Sequence, residues 1–171
     1  MQIGNEVSYN ELAQLLNSDK ETIEKYIDLL EKTGVIFRLG ALNRNVRNEI
    51  KRGRKIYFFD NGIRNAVLGN FSPIPIRTDK GSLWENFLVS ERFKHLGNQE
   101  IDVKSWFWRT TQQQEIDYIE ERENKLYAFE FKWNPQKKAR LSKTFSKAYP
   151  NHAFKVIHPE NFHEFVMNMS G

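Results

Sequence analysis

Hydrophobic and polar positions alternate with a period of two over residues 115–132, and this pattern predicts a β-hairpin with one apolar and one charged face. The apolar positions are Ile116, Tyr118, Tyr127, Phe129 and Phe131. Residues 122–125 form a polar break, in which Asn124 tolerates the positive φ that a tight turn often requires. A turn centred between Glu123 and Asn124 places Tyr118 opposite Phe129 on the apolar face.

The same register determines which charged residues meet on the other face of the hairpin. It places Asp117 opposite Glu130, and Glu115 opposite Lys132. Two carboxylates that face each other across a strand pair destabilise a sheet, because like charges repel. The pattern therefore predicts a compensating cation near Asp117 and Glu130, either a divalent metal ion or an ammonium group.

Two capping boxes near the N-terminus predict two short amphipathic helices. The box at residues 8–11 precedes the first helix, and the box at residues 18–21 opens a second helix that runs to about Thr33 and stops at Gly34. The predicted apolar faces are Leu12, Leu15 and Leu16 in the first helix and Ile23, Tyr26, Ile27 and Leu30 in the second.

A strand pair follows the two helices. Residues 35–37 are predicted to form one strand and residues 55–59 its partner, across a long basic loop. Helix, turn, helix and hairpin is the order of a winged helix-turn-helix, which we predict for residues 1–62. The residues before Pro73 and Pro75 are disfavoured in the α region, so residues 63–78 are predicted to be an extended linker.

The remaining residues, 79–171, predict a separate domain with the order α-β-β-β-α-β-α. Its first helix, capped by Asp79 or Ser82, runs to about His95 and carries Glu85 at the edge of its apolar stripe. The later elements are a strand at 103–109, the hairpin, a helix at 143–149, a strand at 154–157 and a helix at 159–167. The predicted fold class is α/β, more closely α+β, with a central mixed sheet flanked by helices.

Composition narrows the function classes. The 171 residues include no Cys, which excludes disulfides, thiolate catalysis and Cys-based zinc sites. The formal net charge of +4 is compatible with nucleic acid without requiring it. No apolar run approaches the roughly 18 residues of a membrane span, so we expect no membrane partner and a cytoplasmic location. The oligomeric state does not follow from the sequence.

Charge is distributed unevenly over the predicted winged helix. The second helix carries three lysines and four acidic residues, a poor match to phosphate. Residues 38–55 carry seven basic residues against one acidic residue, Glu49. Backbone phosphates of DNA are one expected partner of this wing, and an acidic protein is the alternative. The candidate nucleic-acid-binding residues are Arg44, Arg47, Lys51, Arg52, Arg54 and Lys55.

The charged face of the hairpin resembles the D…(D/E)-x-K core of the PD-(D/E)XK nuclease superfamily. Asp117 is followed thirteen positions later by Glu130, and Lys132 comes two positions after that. The resemblance implies a restriction-endonuclease-like domain in which Asp117 and Glu130 hold Mg²⁺, Glu85 is a further metal ligand, and Lys132 orients or activates the attacking water. The alternatives are a solvated strand face on which Lys132 pairs with Glu115, and an exposed helical Glu85.

A second resemblance rests on separated motifs in a fixed order: residues 55–65, 77–81, 84–87, 108–109 and 115–117. Together they resemble the C-terminal half of a prokaryotic family of AAA+-like P-loop ATPases, in which a winged helix and a nuclease-like domain follow the ATPase domain. The sequence has no G-x-x-x-x-G-K-[ST] motif. We therefore expect no nucleotide site in this chain and an ATPase domain as its missing partner.

Three functions are compatible with the sequence. The first is a Mg²⁺-dependent phosphodiesterase acting on DNA. The second is a catalytically silent module that docks DNA or a protein for the ATPase. The third is an interaction platform that meets no nucleic acid. The family resemblance implies architecture more strongly than chemistry, because function depends on the site rather than on the fold.

Overall fold

The computed structural model describes residues 6–44, 49 and 53–167 of the chain. Its N-terminal part consists of α1 (Tyr9–Leu15), α2 (Lys20–Lys32), β1 (Ile36–Gly40) and β2 (Arg54–Phe58). This is the order predicted for a winged helix. Ser8 caps α1 by accepting a hydrogen bond from the Glu11 amide, as predicted. The cap of α2 is Asp19 rather than Ser18, and its carboxylate accepts from the Thr22 amide at 2.8 Å.

The rest of the described chain alternates helices and strands. The elements are α3 (Asn61–Leu68), a 3₁₀ turn (Ile74–Ile76), α4 (Lys80–Asn98), β3 (Lys104–Arg109), β4 (Glu115–Arg122), β5 (Lys125–Phe131), α5 (Lys143–Ala148), β6 (His152–Ile157) and α6 (Phe162–Met167). From α4 onward this is the predicted α-β-β-β-α-β-α order. The stretch predicted to be a linker contains most of α3 and the 3₁₀ turn.

The main sheet has the strand order β3-β4-β5-β6. β3, β4 and β5 pair antiparallel, whereas β6 lies parallel to β5, with α5 in the connection between them. A sheet of this kind with helices packed against it confirms the predicted mixed α/β class, with a mixed central sheet.

The β4–β5 hairpin has the predicted register. Tyr118 pairs with Phe129, and the turn residues Glu123 and Asn124 both have positive φ, at 49° and 60°. A two-residue turn with positive φ at both positions matches the right-handed twist of the flanking strands. A local turn therefore fixes which residues of β4 and β5 meet.

A bulge in β4 corrects the predicted arrangement of faces. Trp106 of β3 pairs with Ile119 and Trp108 pairs with Ile116, so β4 spends three residues where β3 spends two. An extra residue in one strand turns its neighbours to different faces. Ile116 consequently lies in the core beneath α5, whereas Tyr118 lies in the opposite core beneath α4 and α6. The hairpin is buried on both faces, and the prediction of one apolar and one charged face was wrong.

The N-terminal strand pair contributes to two cores. Ile36 and Phe58 pack with the helices α1 and α2. Phe37, Leu39 and Tyr57 point the other way, into the core between α4, α6 and the main sheet. The predicted division into 1–62, 63–78 and 79–171 stays a prediction; the structure adds that β1 and β2 bring side chains of the N-terminal part to the main sheet.

The predicted apolar faces of α1 and α2 are only partly buried. Ile23 and Ile27 lie in the small N-terminal core as predicted, but Leu15 is 80% exposed. Leu16, Tyr26 and Leu30 are exposed as well. The reason is that each short helix packs one narrow stripe against a two-stranded sheet. α1 uses Tyr9 and Ala13 for this contact.

Membrane insertion has no support from the described helices. None of those in residues 6–44 and 53–167 is both long enough and apolar enough to cross a bilayer.

Candidate acidic site between helix α4 and the main sheet

Glu85 is placed by the buried stripe of α4. Its neighbours Trp84 and Asn86 are buried, and Asn86 binds β2 by accepting from the Phe58 amide at 2.8 Å and donating to the Phe58 carbonyl at 3.0 Å. These bonds hold the first half of α4 against β2. Glu85 therefore faces the β2 side chains Lys55 and Tyr57, and it is not the freely exposed helical glutamate of the alternative interpretation.

Lys55 carries a buried ammonium group. Its Nζ lies 3.0 Å from Glu85 Oε1 and 2.6 Å from Glu115 Oε1, and the residue is only 1% exposed. Burial lowers the pKa of Lys55, but the carboxylates of Glu85, Glu115 and Asp117 outweigh it and raise the pKa above its usual value. The prediction that Lys55 contacts nucleic acid is corrected, because a phosphate cannot reach this nitrogen in the fold.

Tyr57 lies two residues further along β2, on the same face. Its hydroxyl donates to Glu85 Oε1 at 2.7 Å, so one carboxylate oxygen receives hydrogen bonds from both Lys55 and Tyr57. Burial and the adjacent Glu85 raise the pKa of the Tyr57 hydroxyl well above its usual value. Tyr57 is therefore a neutral donor that fixes the position of Glu85.

Asp117 lies at the bulge in β4, where the ladder with β5 begins. Its Oδ2 accepts a hydrogen bond from the backbone amide of Phe131 at 2.7 Å. Burial, followed by the negative charges of Glu85 and Glu130, raises the pKa of Asp117 to about 8, although Lys55 and the Phe131 amide oppose the shift. The predicted electrostatic conflict between Asp117 and Glu130 is thus present in the structure.

Glu130 and Lys132 form an ion pair at the end of β5. Lys132 Nζ lies 2.7 Å from Glu130 Oε1, and the Lys132 side chain remains 28% exposed. Its backbone amide donates to the Ile157 carbonyl of β6 at 2.9 Å, which fixes the main chain at this point. Lys132 does not pair with Glu115, as the alternative interpretation required, because Glu115 binds Lys55 and lies 3.8 Å from Arg109 Nε.

We call the resulting group the acidic cluster. Among the residues that the structure describes, it comprises the carboxylates of Glu85, Glu115, Asp117 and Glu130 and the ammonium groups of Lys55 and Lys132. All four residues of the predicted site are in it. If every group is charged, the carboxylates exceed the ammonium groups by two charges.

Lys55, Tyr57 and the ion pair of Glu115 were missed by sequence reasoning. Glu115 is 60 residues from Lys55 along the chain, so no local pattern connects them. The one available signal was the K-I-Y spacing in β2, which places Lys55 and Tyr57 on one strand face.

The donor types of the acidic cluster fit a hard divalent cation. Mg²⁺ prefers oxygen ligands and usually uses one or two carboxylates together with water. The buried and mutually repelling carboxylates of Asp117, Glu85 and Glu130 offer such ligands. In the described part of the chain, no group of three or more Asp, Glu, His or Cys side chains is placed to hold a metal ion. As the structure stands, Lys55 and Lys132 bind oxygens of three of these carboxylates.

The basic wing is partly engaged within the protein. Arg44 forms a two-pronged ion pair with Glu121 at 2.7 and 2.9 Å and stacks over Trp106. Arg54 lies 3.9 Å from Glu24 and over the Tyr9 ring, with its side chain still exposed. Arg47, Lys51 and Arg52 lie outside the described residues.

Glu49, the acidic residue of the wing, is buried against the main sheet. Its Oε1 accepts from Trp108 Nε1 at 2.7 Å and from the Tyr149 hydroxyl at 2.6 Å. Its Oε2 accepts from the Arg44 amide at 2.9 Å. A buried carboxylate needs such donors to offset its loss of water, so Glu49 fastens the wing to β3.

Comparison with protein families gives two matches. Residues 80–169 match the family described as domain of unknown function DUF4143. Residues 1–73 match a second family, described as domain of unknown function DUF8612.

Curated relatives extend the comparison beyond a single domain. The chain is 28% identical over 124 residues to uncharacterised proteins of Mycobacterium tuberculosis and Mycobacterium bovis. The matched segment is 71% of this chain but 27% of each relative, so the chain spans about a quarter of the length of these proteins. No solved structure matches the chain significantly.

Proposed function

Because the chain belongs to the DUF4143 family, we propose its function from the chemistry of the acidic cluster: binding of one divalent cation, with Mg²⁺ the expected ion, and hydrolysis of phosphodiester bonds in DNA. The proposal assigns Asp117, Glu130 and Glu85 to the cation and Lys132 to the water or to the scissile phosphate. It treats the wing as the part that contacts the DNA backbone.

A single observation carries this proposal: a buried aspartate is left without enough positive charge around it. Asp117 has a pKa raised to about 8 by its burial and by Glu85 and Glu130. Strongly perturbed carboxyl groups cluster at functional sites, because a stable fold has no need of them. A bound Mg²⁺ would supply the missing positive charge and the Lewis acidity that phosphoryl transfer requires.

The protein's own residues would orient the reacting groups. Lys132 is half-buried, charged and held by Glu130 at 2.7 Å, so its ammonium group has a defined place at the end of β5. There it can donate to a phosphate oxygen or hold a water molecule near one. The Phe131 amide fixes Asp117 Oδ2, which keeps that carboxylate from rotating away.

DNA is the proposed substrate because of the charge of the wing. Arg54 is exposed and held only loosely, 3.9 Å from Glu24, and it is free to exchange this pair for a phosphate. Arg44 would have to leave Glu121 to do the same. Arg47, Lys51 and Arg52 complete the proposed contact.

The longer relatives suggest the setting of this module. The chain matches 27% of their length, and its motifs resemble the C-terminal half of AAA+-like ATPases. We therefore place the module behind an ATPase domain in a cytoplasmic protein. ATP binding would belong to that domain.

Cleavage of supercoiled and single-stranded DNA in Mg²⁺ tests the proposal. The wild type should cut, and Asp117→Asn and Lys132→Ala should each lose about 10²-fold or more in rate, the usual cost of losing a group that stabilises developing charge. Lys125→Ala is the matched control, because Lys125 lies on the same strand but at the turn end. Absence of cutting by the wild type, or equal cutting by all variants, would contradict the proposal.

A silent docking module is the second candidate, and the exposed side chains of α1 and α2 favour it. Leu15, Leu16, Tyr26 and Leu29 are all exposed, on the helices that would approach DNA in a winged helix. Apolar side chains there suit a protein better than phosphate. This candidate predicts no cleavage, and loss of binding to a separately expressed ATPase domain of the same family in Tyr26→Glu.

A further inference from the structure

Lys55 reaches the acidic cluster from the N-terminal part of the chain. It lies on β2, on the same face as Tyr57, and its Nζ is within 3.0 Å of both Glu85 on α4 and Glu115 on β4. The ring of Phe107 lies 5.4 Å from the same nitrogen. Lys55 therefore joins three elements at one point.

The burial of this ammonium group has to be offset by its partners. Removing an ammonium ion from water costs several kcal/mol, and only well-placed opposite charges and hydrogen bonds compensate for it. Lys55 has two carboxylates within hydrogen-bond distance and an aromatic ring beside it. Glu85 and Glu115 thus share one cation, in the way that two carboxylates share a metal ion.

The other half of the acidic cluster has no such cation at its centre. Asp117 accepts from the Phe131 amide, and Lys132 binds Glu130 at the rim. Across the cluster, as far as the structure describes it, the carboxylates exceed the ammonium groups by two charges when all are ionised. That excess equals the charge of one divalent ion.

We propose that the Lys55 ammonium group is a built-in cation that takes the place of a second metal ion between Glu85 and Glu115. The acidic cluster then accepts one divalent ion, on the side of Asp117 and Glu130. The inference rests on the proposed function, and it makes a strand of the N-terminal part the element that sets metal stoichiometry. A site with two metal ions would clamp both oxygens of the displacement, whereas this one relies on Lys55 for half of that charge.

The experiment replaces Lys55 by an uncharged side chain of similar length, Lys55→Met. Chelator-treated protein is titrated with Mn²⁺, with calorimetry giving the stoichiometry and electron paramagnetic resonance giving the bound fraction. We expect one Mn²⁺ for the wild type and two for Lys55→Met, because Glu85 and Glu115 lose their internal cation. The melting temperature of Lys55→Met should fall in chelator and recover in Mn²⁺.

Arg92→Met is the matched control. Arg92 is also a buried cation paired with a carboxylate, Glu120, on α4 and β4. This variant should lose stability as well, but it should still bind one Mn²⁺, and its melting temperature should rise in Mn²⁺ by no more than that of the wild type. A purely structural Lys55 would behave like Arg92.

Folding failure does not leave the proposal open. If Lys55→Met is unfolded in chelator, Mn²⁺ must restore its native circular dichroism, and a protein that stays unfolded in Mn²⁺ overturns the inference. Lys55→Met with Glu115→Gln removes one charge of each sign and should return to one Mn²⁺.

The two proposals fail in different ways. A wild type that binds one Mn²⁺ while Lys55→Met also binds one overturns the role of Lys55 and leaves the metal site standing. A wild type that binds no Mn²⁺, with Asp117→Asn indistinguishable from it, overturns the proposed function itself.

Discussion

Helix α4 and strand β4 hold two charged clusters of opposite character. Seven residues after Glu85 on α4, Arg92 forms a two-pronged ion pair with Glu120 at 2.6 and 2.9 Å, and Arg122 binds the same carboxylate. Arg92 also donates to the Phe165 carbonyl of α6 at 2.9 Å. Arg92 and Glu120 are 1% and 0% exposed. In this cluster, each carboxylate oxygen has a cationic donor.

The acidic cluster has the reverse balance. Its carboxylates outnumber its ammonium groups, and one of them, Asp117, has a pKa raised to about 8. The pKa of Glu120 is lowered instead, because the hydrogen bonds and charges of Arg92 and Arg122 outweigh its burial. The comparison teaches that burial alone does not identify a functional carboxylate. The sign of the pKa shift distinguishes a charge that holds the fold from one that awaits a ligand.

The largest expected effect is loss of the arginine in the satisfied cluster. Arg92→Met should destabilise the protein by roughly 3–5 kcal/mol, because it leaves the Glu120 charge buried with its main partner gone. Denaturant unfolding monitored by tryptophan fluorescence gives this number. A loss below about 1 kcal/mol would mean that the pair behaves as a surface salt bridge, and the comparison would fail.

Matched substitutions in the two clusters should act in opposite directions. Glu120→Gln should destabilise the protein, because Arg92 loses its buried counter-ion. Asp117→Asn should stabilise the metal-free protein at pH 8 and above by an amount on the order of a few kcal/mol, because it removes a repelled charge while an amide oxygen can still accept from Phe131. Unfolding curves of both variants in chelator decide the point. A loss of stability in Asp117→Asn would contradict it.

The pH dependence of the metal-free wild type follows from the same shift. The pKa of Asp117 rises from 3.8 to about 8 on folding, so the folded state binds its proton more tightly. This contribution to the free energy of unfolding is fully present below pH 4 and is lost as the pH rises through 8. Glu85, Glu130, Lys55 and Lys132 surround the group and shape the slope. Asp117→Asn should flatten the decline between pH 5 and 9, and an equal decline in both proteins would assign it to other groups.

Local signals predicted the elements that depend on local residues. The Ser8 cap, the stop at Gly34 and the turn at Glu123 and Asn124 each act within a few positions, and each is present in the structure. The turn fixed the pairing of Tyr118 with Phe129. For that reason Asp117, Glu130 and Lys132 could be grouped from the sequence.

Features that depend on distant partners could not be predicted. The bulge at Asp117 arises from the pairing of β4 with β3 and moves Tyr118 to the opposite core from Ile116. Lys55 was counted among the surface bases of the wing because its partners, Glu85 and Glu115, lie 30 and 60 residues away. Tyr26 has helical apolar spacing but lies outward, since the adjoining sheet is too small to cover it.

The smallest expected effect concerns the exposed pair of Arg54 and Glu24. At 3.9 Å and with both side chains nearly half exposed, this pair should contribute about 0–1 kcal/mol to stability. Arg54→Ala should therefore leave unfolding nearly unchanged while lowering the log–log salt slope of DNA binding by about 0.9. An unaltered slope would remove Arg54 from the proposed contact and would separate it no further from the buried clusters.

The most direct test of the account is the melting temperature of the wild type and of Asp117→Asn, each with chelator and with Mg²⁺. At a Mg²⁺ concentration of about 100 Kd, binding stabilises the folded state by about 2.7 kcal/mol, which is about 5–10 °C for a protein of this size. We predict this rise for the wild type and none for Asp117→Asn. A wild type that does not respond to Mg²⁺, or an Asp117→Asn variant that responds equally, would contradict the assignment of the acidic cluster as a metal site.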